Sequence, residues 1–349
     1  MTQIIRYSII IVFSSILFSS NISYSFKNEI SIGYDDNFMR FSQFEMDRSY
    51  LDNGTNNDYL GDAKTYDSSI ISVAGQLTLS TKIFKSYKTN FIFKSKYNKY
   101  SSSDLKSYSS LLGRFEFKLA PYSWIKISYS ILPRYYLRTY IDRDLDPLSY
   151  YPCYFSNEKF YISYSHKIGL DKTWLDYRFI INNQFYNKNF TEYDSMIKGF
   201  ETTLKSKFAK DYYISFTYAY HLSDNISYKK NLFESTKLDR SYVKNGFKFY
   251  LKQSIKNELI SSIGFKFYFD QRFYDLDSWY YNSDNWKIYS DYDLRLELSK
   301  KINKNIDYQF SIRRFLRSVS SSESDELSWL EDYKNYNRNE LWVKFIYKF

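Results

Sequence analysis

The last nine residues alternate without a break. Leu341, Val343, Phe345, Tyr347 and Phe349 fall on one face of an extended strand, and Trp342, Lys344, Ile346 and Lys348 on the other. The first face is apolar or aromatic right up to the carboxy terminus. Chain ends in water ordinarily fray, so a terminal strand with one oily face needs a partner along its length and an apolar medium outside. A closed membrane barrel supplies both, because its last strand pairs with its first. Residues 337–349 are therefore expected to be a closing strand.

The same period recurs along the chain at 28–42, 65–80, 88–100, 106–119, 124–138, 153–167, 173–186, 194–208, 212–222, 238–252, 258–272, 286–300 and 306–317. With the closing segment this makes about fourteen strands. In one of them Ile263, Phe265, Phe267 and Phe269 alternate with Gly264, Lys266, Tyr268 and Asp270. Helical periodicity would scatter these charges around a cylinder, whereas period two gathers them on one side. The connections alternate between short (for example 121–123, 209–211 and 301–305) and long (43–64, 139–152, 223–237, 273–285 and 318–336). The expected fold is all-β: a transmembrane antiparallel up-and-down β-barrel with short periplasmic turns, long extracellular loops and both termini at the short-turn end. No separate plug domain is expected.

Composition agrees with that fold. Tyr (40) and Phe (30) make the chain 22% aromatic with Trp, yet its mean hydropathy is −0.54. Strands that are apolar only at alternate positions average out as hydrophilic. At the amino end, Arg6 precedes an apolar run from Ile9 to Phe18 that is shorter than the ~20 residues of a membrane helix. Small residues at Ser23 and Ser25 follow, so residues 1–25 read as a signal peptide and 26–349 as a single barrel domain. Cys153 is the only cysteine, which excludes an intramolecular disulfide and a cysteine-based metal site.

The closing strand resembles that of bacterial outer-membrane β-barrel proteins, whose last strand typically ends in Phe. The resemblance implies that the barrel-assembly machinery reads Phe345, Tyr347 and Phe349, and that the partners in place are outer-membrane lipid and lipopolysaccharide. Gly33-Tyr34-Asp35-Asp36-Asn37, within Ser31–Arg40, resembles the first strand of porin-like barrel families, some of which accompany exopolysaccharide secretion.

Chemistry-bearing residues are few. His221-Leu222-Ser223 has the His-x-Ser spacing of outer-membrane phospholipases but lacks their following Gly, and period two puts both residues away from lipid. His166 continues an outward set at a turn end. Asp142, Asp144 and Asp146 read as a solvated loop before a calcium site. There is no phosphate-binding glycine loop, so no cofactor is expected. The net charge of +10 is spread over strands rather than gathered in a stripe, which argues against nucleic acid. Lys248, Lys266, Arg295, Arg178, Lys205 and Lys344, along with Lys198 and others, fall on the inferred lumen side. Fewer acids face them: Glu116, Asp176, Glu201, Asp270, Asp293 and Glu297. The expectation is a porin-like channel, not an enzyme, for small anionic or sugar-like solutes. A barrel for surface polysaccharide export and an adhesive barrel acting through the aromatic loop 276–281 are the alternatives.

Overall fold

The computed structural model describes residues 22–51, 60–83, 87–142, 144–170, 172–230, 234–255, 257–275, 286–321 and 328–349. Fourteen strands are present: β1 (Ser23–Asp35), β2 (Ser68–Ile83), β3 (Tyr87–Tyr100), β4 (Tyr108–Ala120), β5 (Ser123–Asp142), β6 (Asp146–Lys167) and β7 (Thr173–Tyr186) form one half. β8 (Ser195–Ala209), β9 (Tyr212–Asn225), β10 (Tyr242–Ser254), β11 (Ser262–Asp275), β12 (Trp286–Lys301), β13 (Ile306–Ser321) and β14 (Tyr336–Lys348) form the other. Each strand pairs antiparallel with its neighbours in sequence, and β1 pairs with β14 from Lys27↔Lys348 to Asp35↔Glu340, closing the ring. Closure leaves no unpaired edge, which is what allows a sheet to stand in hydrocarbon.

Ser23–Ser25, part of the expected leader, pair with β2 in this structure of the whole chain. Residues 1–21 lie outside the described residues, as does the aromatic loop 276–281. The ring would remain shut from Phe26 onward, since the Phe349 amide donates to the Phe26 carbonyl at 2.9 Å and their rings lie 5.9 Å apart.

Strands β9, β11 and β13 run on to Asn225, Asp275 and Ser321, a few residues into the expected long loops, and two larger departures have physical reasons. The loop expected at 139–152 is a strand pair instead: Thr139, Tyr140 and Ile141 face Pro152, Tyr151 and Tyr150, and the pairing extends to Asp142 opposite Asp146. Residues that favour strands keep pairing there, and β-bulges absorb the register shifts. The first strand, expected over 28–42, ends at Asp35. The chain then turns into the barrel, and this turn shapes the lumen. Two short helices also belong to the long-loop end: α1 (Gln43–Leu51) after β1 and α2 (Ser328–Lys334) before β14.

Candidate functional site

At the end of β1 the motif residues divide the work of turning the chain inward. Gly33 leaves room for Trp342 of β14, since a Cβ there would lie 2.4 Å from the indole. Tyr34 points outward and donates to Asp67 Oδ2 at 2.7 Å. Asp36 accepts both the backbone amide and the side-chain amide of Asn339 at 2.7 Å, which pins the last ladder position. Asn37 clamps the turn: its Oδ1 accepts the Phe41 amide (2.8 Å), while its Nδ2 donates to the carbonyls of Phe41 (2.7 Å) and Asn337 (2.9 Å). Phe38, Met39 and Phe41, buried to 1–2% exposure, pack inside the barrel with Ile70, Tyr100 and Tyr136. Burying these side chains, at roughly 1.5–3 kcal/mol each, outweighs leaving the loop in water.

The inward loop is then bolted down. Ser42-Gln43-Phe44-Glu45 is a capping box: Ser42 Oγ accepts the Glu45 amide (3.1 Å) and Glu45 Oε2 accepts the Ser42 amide (3.0 Å), starting α1. The same carboxylate takes a two-pronged pair from Arg138 at 2.8 and 2.9 Å, with both side chains buried. Arg138 lies in the register shift of β5 between Tyr136 and Thr139, near Pro133, which lacks a ladder donor. The bulge also frees the carbonyls of Tyr136 and Leu137, which accept the buried Lys106 ammonium at 2.9 and 2.8 Å.

Arg40 is the residue of this segment that leaves the packed cluster. Its backbone is left-handed (φ 62°), and its side chain is exposed toward the bore. It faces the upper wall of β11–β13 across a cavity of about 230 Å³ lined by Tyr268, Asp270, Arg272, Asp291, Asp293, Arg313, Phe315 and Arg317. The wall charges are paired: Arg317 with Asp291 (2.6 and 2.8 Å), Arg313 with Asp293 (2.8 and 2.7 Å), and Arg272 with Asp291 (3.1 Å).

Six of the cations singled out from the sequence stand on the inner side of the wall. Lys248 and Arg178 meet at Glu201 (2.8 and 3.1 Å), Lys205 lies 3.4 Å from Asp176, and Lys266 and Arg295 share Glu297 at 2.7 and 4.0 Å. Lys344 joins Lys27 and Lys94 around Glu29. Lys198 is a correction, because it pairs opposite Leu222 on the outer face, in line with Phe200. The inner acids are also more numerous than expected: Glu29, Asp35, Asp291 and Glu340 all take part in ion pairs. Ser223 is buried on the inner face beside His221, away from lipid, where it could not reach a phospholipid ester. Asp142 and Asp144 are held within the protein; Asp142 Oδ1 accepts the Asp144 amide (3.2 Å), and Asp144 accepts from Ser235.

The opposite surface decides the class of the molecule. Ile30, Ile32, Ile71, Leu111, Phe179, Phe200, Leu296 and Phe345 all stand exposed on the outer side, a continuous apolar belt that only lipid can cover. This is an outer-membrane-type β-barrel. Solved barrels of similar fold include the anion-selective porin from Comamonas acidovorans (7% identity, 94% of this chain and 99% of that one, TM-score 0.45). The outer membrane channel DcaP of Acinetobacter baumannii matches at 11% identity over 94% and 97% of the two chains, TM-score 0.46. A bacterial polysaccharide outer membrane secretin matches at 7% identity over 92% and 98%, TM-score 0.43. No family model and no curated protein matches the chain.

Of the residues that shape the inward loop and its docking, sequence reading missed Arg40, Glu45, Arg138 and Lys106. The capping-box spacing Ser42–Glu45 and the adjacent apolar residues Phe38 and Met39, which break period two at the end of the expected strand, were the available signals. Nothing in the local sequence marks Arg138 or Lys106, whose partners lie far away in the chain.

Proposed function

We propose that the protein is a porin-like channel of the bacterial outer membrane through which small anionic or sugar-like solutes diffuse passively, without a catalysed reaction. The observation that carries this reading is the basic, polar bore narrowed by the loop after β1, with Arg40 facing the arginine–aspartate wall. Fixed charges beside a narrow water path set the local ion ratio. Lys248, Lys266, Arg295, Arg178, Lys205 and Lys344 would line the path below the constriction. Their acidic partners reduce the field, so the anion preference is modest. Residues 1–25 act as the export signal, and Phe345, Tyr347 and Phe349 as the signal for the assembly machinery. A polysaccharide strand would have to pass the same constriction with the loop docked as it is, so small solutes fit the geometry better. Single-channel recording of purified protein in a salt gradient tests the reading. Discrete conductance steps with a reversal potential on the anion side are expected, and a membrane that stays sealed would overturn it.

A further inference from the structure

We infer that the cavity between Arg40 and the β11–β13 wall is a binding subsite for a singly charged, hydroxyl-rich carboxylate of about one-ring size, such as a sugar acid. The inference deepens the channel reading and rests on it for the solute's route. Three observations lead there.

The first is charge. Each acid of the cavity already has a cation: Asp291 has Arg317 and Arg272, Asp293 has Arg313, and Asp270 has Lys244 at 3.5 Å. Arg40, among the described residues, has no carboxylate in ion-pair reach. The cavity lining itself holds four arginines (Arg40, Arg272, Arg313 and Arg317) against three aspartates (Asp270, Asp291 and Asp293), one positive charge in surplus, and its acids would repel an anion of higher charge. A single carboxylate matches that surplus, and a guanidinium grips it in two-pronged fashion.

The second is the complement of polar and aromatic groups. Arg272 keeps a buried Nε without a hydrogen-bond partner. The carboxylates of Asp291 and Asp293 have further lone pairs to accept hydroxyl hydrogens. Tyr268 and Phe315 also line the cavity and add aromatic surface that the apolar side of a pyranose can lie against. A volume of about 230 Å³ holds one ring, being smaller than the ~300–1,000 Å³ sites that enclose drug-sized ligands.

The third is backbone conformation. A non-glycine residue at φ 62° is kept there only where its surroundings over-determine it. The Asn37 clamp and the buried Phe38, Met39 and Phe41 do so here. The backbone that carries Arg40 is thus fixed, and only its side chain remains to be ordered when a solute arrives.

The test uses the full-length barrel, with glucuronate, glucose and citrate as probes. In planar bilayers, millimolar glucuronate should reduce the chloride current saturably, glucose should have no such effect, and citrate should act more weakly than glucuronate. Arg40→Gln should weaken the glucuronate effect by about tenfold or more, the loss expected for a hydrogen bond to a charged group, while Arg40→Lys should keep part of it. Normal gel mobility of the folded variants guards against a folding artefact. A glucuronate effect unchanged in Arg40→Gln, or one that tracks ionic strength alone, would overturn the subsite and leave the channel standing. If the protein passes no current, the channel reading falls instead, and calorimetric titration of glucuronate into the detergent-solubilised barrel decides the subsite. Heat that saturates for the wild type and vanishes for Arg40→Gln supports it, and no heat from the wild type refutes it.

Discussion

Gly33 shows how one absent side chain can govern the seam of a barrel. The indole of Trp342 lies across it, and Trp342 Nε1 donates to Glu340 Oε2 at 2.8 Å, so the contact joins the first strand to the last. Gly33→Leu would push the ring away and strain the closure, at about 1–3 kcal/mol for overpacking. The folded, fast-migrating gel species of this variant should vanish at a lower urea concentration than in the wild type. A second change, Trp342→Ala, should restore part of the loss; equal resistance of wild type and Gly33→Leu would show that the seam tolerates the side chain. Glu192, in the short helical turn Thr191–Tyr193 after β7, makes a prediction in pH. Burial, helped by Asp144 and Asp142 and opposed by Arg240, pushes its carboxyl up to about 7. The folded state then holds a proton that the unfolded chain releases near 4.5, so this contribution is complete below about 4.5 and is lost as pH rises through about 7. Proteolytic nicking of this loop cluster should speed up between those pH values in the wild type and be flat in Glu192→Gln.

At the scale of elements, two segments have functions that can be separated. The loop after β1 is docked through the buried Glu45–Arg138 pair, and removing one partner of such a pair typically costs ~3–5 kcal/mol because the other is left charged and unsolvated. Glu45→Ala should therefore undock the loop. Its single-channel conductance should rise and its loop should become sensitive to protease, while the gel mobility of the folded barrel stays unchanged. Unaltered conductance would mean that the loop does not set the bore. The closing strand behaves differently, because it is needed before any lumen exists. Phe345, Tyr347 and Phe349 stand outward, and the Phe349 amide completes the seam with Phe26. Replacing the three by Ser should lower the amount of folded protein in the outer membrane at least severalfold, measured by surface labelling, and normal levels would count against the assembly signal.

For the whole molecule the question is the sign of the bore. Lys248, Lys266 and Arg295 sit in pairs with Glu201 and Glu297. Reversing all three to Glu would create local clusters of negative charge and move the reversal potential toward cations. Charges act on ions within about one Debye length, ~8 Å at physiological ionic strength. The wild-type anion preference and the mutant shift should both shrink as salt is raised. A selectivity that ignores salt, or a triple variant with the wild-type reversal potential, would place the controlling field elsewhere.

What the sequence determined alone was what period two can carry: the strand number, the order, which side of each strand is oily, and the closing role of 337–349. Alternation is a local property, and a closed ring with lipid outside is the only arrangement that satisfies every strand at once. Tertiary structure decided what fills the ring. Residues 36–42 read as the end of the first strand, yet Asn37, Asn339 and the packed cluster around Tyr100 and Tyr136 draw them inward. Likewise Glu29, Asp35, Asp291 and Glu340 neutralise cations from neighbouring strands or strands beyond them, such as Lys94, Arg338, Arg317 and Arg313. Those meetings depend on the curvature and register of a closed wall, and no window along the chain contains both partners.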